Sequence, residues 1–194
     1  MDAPGLGGRL PLLPPASLGP EARALYDRLA GGRLGSASPF TSRTEAGELI
    51  GPFNALLYAP TIGGGFIDFH EAEEQATPLS KQVREVVILS VDAVCRSAYE
   101  LYAHRTVAAG VGFTPEIIAA LATGEPHDGL ADDERAAQRF TLELTRDRAV
   151  SDAAYASAEA AFGREGLIAL AFLAAAYGGT CTILNAFAVP APSE

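Results

Sequence analysis

Four side chains able to donate, accept or share a proton are concentrated in one otherwise apolar stretch, residues 79–112. They are Glu85, Ser97, Glu100 and His104. A carboxyl group among apolar neighbours loses hydration, which disfavours its charged form and lets it act as an acid or base near neutral pH. Glu85 is expected in such surroundings, because its helical neighbours at i+3 and i+4 are apolar. The stretch therefore predicts a buried site for proton transfer.

The second half of this stretch places several polar groups on one face of a helix. Glu100 and His104 are four residues apart, so their side chains can reach each other on a helix surface. A carboxylate in that position orients the imidazole and favours its protonated form. The same face carries Ser97 and Leu101. Tyr99 points away from it and is typical of a packed ring or of a side chain that reaches a neighbouring helix.

The same residues allow plainer interpretations. Glu85 could form a surface ion pair with a neighbouring cation, and Glu100 could form an exposed helix pair with His104. Ser97 could serve only as a helix cap. A metal site is a further alternative, because Glu85, Glu100 and His104 offer two oxygens and one nitrogen. No second histidine or cysteine completes that ligand set, so the pattern favours proton transfer.

The flanking sequence predicts an all-α domain of about eight helices, because apolar residues recur at helical spacing and no segment alternates as a strand does. Ser80, Thr114, Asp132 and Ser151 are expected to cap helix starts through their side-chain oxygens. The last helix is rich in Gly and Ala and is a candidate subunit contact. The predicted helices span about residues 20–30, 61–76, 81–94, 98–109, 115–124, 133–147, 152–163 and 165–187.

The chain divides into two unequal parts. Residues 1–50 are predicted to form a Pro- and Gly-rich N-terminal arm with one short helix, and residues 51–194 the helical domain. Turn-forming residues extend from about residue 33 to 52, and a loop of that length is often functional. Its Arg43 could reach an anionic ligand, although a solvated surface arginine is the commoner role.

Composition and net charge indicate which kinds of molecule the protein binds. Fourteen basic and twenty-four acidic residues give a net charge of −10, which repels phosphate backbones and anionic lipids. The longest apolar run, Leu167–Tyr177, is shorter than the ~20 residues that span a bilayer. The N-terminal residues show no signal-peptide pattern. We therefore expect a cytoplasmic protein with a small-molecule substrate, and neither nucleic acid nor a membrane as partner.

The sequence predicts structural roles for the two cysteines and for the two other histidines. Cys95 and Cys181 are 86 positions apart in helix-like segments and are expected to be buried as small apolar residues. They could form a redox pair only if folding brings them together. His70 lies beside an acidic helix face and His127 in a turn, so both are expected to be exposed and without a catalytic role.

Several segments between about Gly51 and Pro190 resemble the carboxymuconolactone decarboxylase family, which shares its all-helical fold with the alkylhydroperoxidase D-like (AhpD-like) proteins. The segments are G-P-F-N-A-L-L-Y-A-P at 51–60, R-E-V-V-I-L at 84–89, Y-E-L-Y-A-H at 99–104 followed by A-A-G, and L-N-A-F-A-V-P at 184–190. The resemblance implies an AhpD-like helical bundle over residues 51–194.

The resemblance also separates two branches of chemistry. The peroxidase branch has a glutamate, a C-x-x-C motif and a histidine four residues beyond its second cysteine. The matching positions here are Glu85, Ser97, Glu100 and His104, so both cysteines are replaced. Without a thiolate pair, no thiol peroxidase activity is expected. The Tyr-Glu pattern before the histidine is similar to the decarboxylase branch, although Leu101 stands where that branch commonly has tryptophan.

The resemblance implies a cofactor-free lyase, without a metal, acting on a small carboxylated lactone or aromatic-derived acid. His104 would donate a proton to an enolate, Glu100 would orient it, and Glu85 would act as acid or base. The candidate substrate-binding residues are Ser97, Leu101 and Tyr99. Isomerisation, cyclisation or dehydration would use the same groups. The resemblance further implies a homo-oligomer, trimeric or hexameric. The alternatives are a non-catalytic helical oligomer or ligand-binding protein, and a residual redox role for the two cysteines.

Overall fold

The computed structural model describes residues 5–32, 34 and 38–193, and over those residues it is an eight-helix protein without β-strands. A short 3-10 helix, Pro15–Ser17, precedes the α-helices. The all-α prediction is therefore confirmed. The helices are α1 Pro20–Gly31, α2 Pro52–Tyr58, α3 Pro60–Ala76, α4 Lys81–Cys95, α5 Ala98–Gly110, α6 Pro115–Thr123, α7 Asp132–Asp147 and α8 Asp152–Ala186.

Helix starts follow side-chain capping in three of the four predicted cases. The hydroxyl groups of Ser80, Thr114 and Ser151 each accept a hydrogen bond from the backbone N–H three residues later. The cap predicted at Asp132 is wrong, because the N-cap residue of α7 is Ala131. There the Glu134 carboxylate accepts the N–H of Ala131 at 2.8 Å and satisfies the exposed donor.

The last two predicted helices form one long element with a break. Gly163 has φ 64° and ψ −177°, a left-handed conformation that favours glycine. The break lies where the sequence predicts one helix to end and the next to begin. By length and composition alone, α8 could also span a membrane, with a mean hydropathy of 1.9 in its most apolar window. Its packing against α4 and α7 is that of a core helix in a soluble-type bundle.

The main core surrounds α4. Val86, Val87, Leu89 and Val91 are fully buried on several sides of that helix, as expected for a helix that is apolar all round. Helices α5, α6, α7 and α8 pack against it. A second apolar cluster joins α1, α2 and α3. The catalytically interesting stretch is therefore enclosed by neighbouring helices.

The N-terminal segment is hydrogen-bonded to α2 and to the residues that follow α8. The N–H of Arg9 donates to the carbonyl of Phe187 at 2.7 Å, beyond the end of α8. The side chain of Asn54 accepts the N–H of Leu13 and donates to the carbonyl of Pro11. These hydrogen bonds hold residues 9–13 against α2 and the chain end of α8.

A tight corner joins α4 to α5. Arg96 has φ 56°, and its N–H donates to the carbonyl of Asp92 at 2.6 Å. The Asp92 carboxylate also accepts the N–H of Ser97 at 2.8 Å. The chain therefore reverses within two residues and lays α5 back along α4. This reversal brings residue 104 next to residue 85.

Candidate functional site

The imidazole of His104 lies between two carboxylates. Its Nδ1 atom is 2.8 Å from Oε2 of Glu85, and its Nε2 atom is 3.2 Å from Oε1 of Glu100. The three side chains are buried, with exposed fractions of 11% for His104, 7% for Glu85 and 5% for Glu100. The structure thus brings together the three residues that the sequence nominates as catalytic.

Local structure explains each contact. Glu100 and His104 meet because they are one turn apart on α5. Glu85 lies on α4 and reaches the ring from the other side because of the corner at Arg96. A neutral imidazole has one N–H and can donate to only one of the two carboxylates, whereas an imidazolium donates to both. The trio can therefore hold a proton on the ring or on either carboxyl group.

The trio lies in the wall of a cavity of about 490 Å³. The cavity is bounded by residues 39–40 and by α2, α3, α4, α5 and α8. Its volume is within the range of small-molecule pockets. Aromatic and aliphatic side chains form much of the wall, including Phe40, Phe53, Phe66, Ile67 and Ile88. The polar groups of the trio therefore face a mainly apolar space.

Only one of the three residues predicted to bind substrate lines the cavity. Tyr99 lines the cavity, although helical spacing predicts that it points away from the His104 face. Both flanks of α5 face the cavity, because Tyr99, Ala103 and Val107 form a second stripe beside His104. Burial, together with the charge of nearby Glu100, raises the pKa of the Tyr99 phenol, and its hydroxyl donates to the carbonyl of Thr41 at 2.8 Å.

Ser97 and Leu101 do not line this cavity in the part of the chain that the structure describes. Ser97 is 1% exposed at the α4–α5 corner, and its N–H is turned toward Asp92. Its hydroxyl caps nothing and has no hydrogen-bond partner among the described residues. Leu101 packs against the main core. The corner geometry, which helical spacing does not reveal, separates these two side chains from the His104 side of α5.

The sequence analysis did not assign two residues, His70 and Tyr177, to the site, although both line the cavity. His70, expected to be exposed, is 7% exposed, and its Nε2 atom lies 3.2 Å from Oγ1 of Thr180. The Tyr177 ring contacts both imidazoles edge-on, with centroid distances of 5.1 Å to His104 and 5.3 Å to His70. The buried stripe of α3, which includes Ile67, His70 and Glu73, follows the i, i+3 spacing that could have revealed the histidine.

The sequence of this region matches a known family. The model of the carboxymuconolactone decarboxylase family matches residues 60–142, from α3 to near the end of α7. This part of the chain is similar to the carboxymuconolactone decarboxylase family. The match contains all three members of the Glu85–His104–Glu100 trio, and it confirms the resemblance seen in the sequence. The family match says nothing of the arm, or of α8 with its Tyr177.

Solved structures share the fold of this chain. An AhpD-core, peroxidase-related protein from Ralstonia eutropha JMP134 has 18% identity and a TM-score of 0.74, covering 96% of this chain and 93% of that one. A peroxidase-related protein from Silicibacter sp. TM1040 has 17% identity and a TM-score of 0.73, covering 100% and 96%. A debrominase, Bmp8, solved with 2,3,4-tribromopyrrole, has 11% identity and a TM-score of 0.71, covering 97% and 92%. No curated protein sequence matched. The neighbours establish the AhpD-like fold.

Two arginines considered for the site are held by different kinds of oxygen acceptor. Arg84 lines the cavity, and Glu73 binds its guanidinium through two contacts of 2.5 and 2.9 Å. This pair is buried, with exposed fractions of 12% and 4%. Arg43, considered as an anion contact, instead donates to the carbonyls of Ala30 and Leu34 and does not line the cavity.

Asp92 lies behind the trio. Burial raises the pKa of its carboxyl group, while the hydrogen bond from Ser97 and the charge of His104 act in the opposite direction. The Sγ atom of Cys181 lies 3.9 Å from Oδ1 of Asp92. Asp92 therefore lies within electrostatic reach of His104 and also contacts the α4–α5 corner and α8.

The oxygen and nitrogen atoms of the trio are not directed at one position that a metal ion could occupy. The two carboxylates contact opposite nitrogens of one ring, so they do not converge on a common point with either nitrogen. Across residues 5–32, 34 and 38–193, no group of three or more His, Cys, Asp or Glu side chains is arranged to hold a metal ion. The geometry suits transfer of a proton along the ring.

Proposed function

We propose that this protein is a cofactor-free lyase that decarboxylates a small carboxylated lactone or aromatic-derived acid by proton transfer. The observation that carries the proposal is the burial of His104 between Glu85 and Glu100 at the wall of a cavity of about 490 Å³. Similarity to the carboxymuconolactone decarboxylase family supports the reaction class.

The proposed reaction requires the protein to stabilise a negative charge and to donate a proton. Breaking the bond to the leaving carbon dioxide puts an electron pair into an enolate or dienolate, whose charge needs stabilisation. A proton must then be delivered to carbon. A protonated His104 is positively charged and is held by carboxylates at both nitrogens, and in the proposed step its Nε2–H leaves the longer contact with Glu100 and is transferred to the substrate carbon. Glu100 orients the ring, and Glu85 supplies the replacement proton as general acid or accepts one as base.

Arg84 is the candidate contact for a substrate carboxylate. Among the described lining residues it carries the only Lys or Arg side chain, beside Glu71, Glu74, Glu85 and Glu100, and its pairing with Glu73 fixes the guanidinium at the wall. We assign it to the substrate carboxylate. The apolar part of the wall lowers the local dielectric constant, which strengthens the electrostatic effect of both Arg84 and His104. We expect Tyr99 and Tyr177, which both line the cavity, to flank a planar ring or enolate.

Turnover by purified protein tests the proposal. A panel of small γ-lactone carboxylic acids and unsaturated cyclic acids is incubated in D₂O, and release of carbon dioxide and deuterium at carbon are measured. We expect His104→Gln and Glu85→Gln to lower kcat by about 10²-fold or more, as loss of a general acid–base group does. His127→Gln and Glu159→Gln, which lie outside the cavity, are the matched controls. Wild-type turnover in both site variants would overturn the assignment.

A binding role is the second candidate, and it is favoured by a different surface. Ile168 and Phe172 on α8 are 49% and 53% exposed and line an apolar groove with Phe69 on α3. We propose that this face contributes to a cytoplasmic homo-oligomer, trimeric or hexameric. Ligand-induced thermal stabilisation without any turnover across the substrate panel would favour the non-catalytic role. Sedimentation of wild type and Phe172→Glu tests the oligomer.

A further inference from the structure

His70 and His104 line the same cavity, but the proposed function uses only His104. His70 lies on α3 and His104 on α5, and both helices pack against α8. The Tyr177 ring of α8 contacts each imidazole edge-on, with centroid distances of 5.3 Å to His70 and 5.1 Å to His104. Two imidazoles from different helices therefore form parts of one cavity wall.

The ring of His70 is held in a fixed position. It is 7% exposed and makes edge-on contacts with the rings of Phe66 and Phe69, at centroid distances of 4.7 and 6.2 Å. Its Nε2 atom lies 3.2 Å from Oγ1 of Thr180, which also lines the cavity. A catalytic imidazole needs such support, because proton transfer requires the donor and the acceptor to stay at hydrogen-bond distance.

The Thr180 hydroxyl allows His70 to gain and lose a proton. Its Oγ1 atom is 3.2 Å from Nε2 of His70 and 3.2 Å from the carbonyl oxygen of Ala176. When Nε2 carries a proton, it donates to the hydroxyl, and the hydroxyl donates to the carbonyl. When Nε2 carries none, the hydroxyl donates to Nε2 instead. The contact is therefore kept in both protonation states of the ring, as an acid–base group requires.

A carboxylate lies one helical turn from each imidazole. Glu74 follows His70 by four residues on α3 and lines the same cavity. Glu100 and His104 have the same spacing on α5, in the reverse order. Side chains four residues apart on a helix are neighbours, and a neighbouring carboxylate orients an imidazole. The surroundings of His70 are thus those of an acid–base residue as well as those of a packed ring.

We propose that His70 is a second catalytic acid–base group and that, together with His104, it shifts the double bond of an unsaturated γ-lactone by one position. This activity rests on the proposed function for the role of His104 as proton donor. In the first step, neutral His70 takes a proton from the α-carbon, next to the lactone carbonyl, and the electron pair of the broken C–H bond forms a dienolate. In the second step, protonated His104 gives its Nε2 proton to the γ-carbon, next to the ring oxygen, where a new C–H bond forms.

The reaction is balanced without an oxidant or a reductant. The substrate loses one proton and gains one, so the product is an isomer of the substrate. His70 ends protonated and His104 ends neutral, and proton exchange with water returns both rings to their starting states. Two separate groups remove the need for one base to move between the two carbons.

Isomerisation of α-angelica lactone tests the proposal. This γ-lactone carries no carboxylate, so it can isomerise but cannot be decarboxylated. The wild type is incubated with it in D₂O, and NMR follows the β-isomer and the deuterium at each carbon against a protein-free sample. We expect isomerisation with deuterium at the γ-carbon. His70→Gln and His104→Gln should each lower the rate by about 10²-fold, as loss of a general acid–base group does. His127→Gln, outside the cavity, is the matched control.

Comparison of two reactions separates a catalytic role of His70 from a structural one. His70→Gln should lower isomerisation by about 10-fold or more beyond its effect on decarboxylation of the carboxylic acids, whereas a folding defect lowers both rates equally. Hydrogen exchange at the α-carbon of unreacted lactone should be slower in His70→Gln than in His104→Gln, because His70 takes that proton. Thr180→Val, which lacks the hydroxyl, should isomerise more slowly than Thr180→Ser, which retains it.

The two proposals fail in different ways. A wild type that releases carbon dioxide from the acids but does not isomerise the lactone overturns this inference alone. A wild type that isomerises the lactone but decarboxylates no acid overturns the proposed decarboxylation alone. Equal losses of both reactions in His70→Gln, or equal α-carbon exchange in the two histidine variants, would show that His70 is structural and would also overturn this inference.

Discussion

The Nδ1 atom of His104 lies 2.8 Å from the Oε2 atom of Glu85, across a separation of 19 residues in the chain. This contact joins α4 to α5 through two buried side chains. We expect Glu85→Gln and His104→Asn to be non-additive in the free energy of unfolding, with an interaction of about 0.5–3 kcal/mol, because the two side chains share one buried charge-assisted contact. Urea unfolding of the wild type, both single variants and the double variant measures it.

Exposed Glu159 and partly buried His127 provide the control cycle for that measurement. The two residues lie on different elements and share no contact, so their changes should add within about 0.3–0.5 kcal/mol. Additivity at the Glu85–His104 pair as well would mean that the buried contact carries no coupling.

Gly51 is the second test position, because it lies against the ring of Tyr99. Its φ is 66°, and a Cβ atom there would approach the ring carbons to less than 3.0 Å. Gly51→Ala therefore combines backbone strain with overpacking, and we expect a loss of about 2–4 kcal/mol in the free energy of unfolding together with displacement of Tyr99 from the cavity wall. Thermal unfolding and tyrosine fluorescence report the two effects.

Gly64→Ala is the matched control for that change. Gly64 lies within α3, and a Cβ atom there would meet nothing within 4 Å. Alanine is the better helix former, so this variant should be stabilised by up to about 1 kcal/mol. Equal stability losses at both glycines would contradict the role assigned to the Tyr99 contact.

The backbone of Thr41 is held from both sides by tyrosine hydroxyls. Tyr99 donates to its carbonyl at 2.8 Å, and Tyr102 accepts its N–H at 3.1 Å. We expect Tyr99→Phe to cost about 0.5–1.5 kcal/mol, because a partly buried carbonyl loses its donor. Amide hydrogen exchange at residues 38–43 should become faster. Tyr155→Phe, on a side chain that is 43% exposed, should change neither quantity.

Asp92→Asn tests the electrostatics behind the site through the pH dependence of stability. Burial raises the folded-state pKa of Asp92 above its ordinary value of 3.8, so folding favours its protonated form. The stability contributed by that proton is fully present below the unfolded-state pKa and is lost as pH rises through the folded-state pKa. Asparagine has no such proton.

The stability of Asp92→Asn relative to the wild type should therefore increase as pH rises from about 4 and then level off. Urea unfolding between pH 3.5 and 8 measures the difference. Asp128→Asn, on an exposed loop, is the control variant for the loss of a carboxylate. A relative stability of Asp92→Asn that falls over the same range would show that the carboxylate is favoured in the folded protein.

The sequence could predict contacts within one helix but not those made between helices. The Glu100–His104 contact follows from i, i+4 spacing, and the caps at Ser80, Thr114 and Ser151 follow from residue type. The orientation of Ser97 depends on Arg96 adopting φ 56°, which no local pattern of a non-glycine residue indicates.

The error at His70 comes from contacts between helices. His70 was judged by the charged residues beside it, whereas its burial depends on how α3 packs against Thr180 and Tyr177 of α8. The contact of the Asn185 side chain with the carbonyl of Cys95 depends in the same way on the packing of α8 against α4. The contacts that residue spacing could not predict are therefore mainly those made by residues of α8.

Tyr177 and Cys181 are one turn apart on the same side of α8, below the break at Gly163. Tyr177 contacts the two imidazoles, and Cys181 contacts the Asp92 carboxylate at 3.9 Å. One face of α8 therefore joins the wall of the histidine cavity to α4. Because residues one turn apart belong to the same rigid helical segment, a substitution that displaces this part of α8 would move the Tyr177 ring and the Cys181 thiol together.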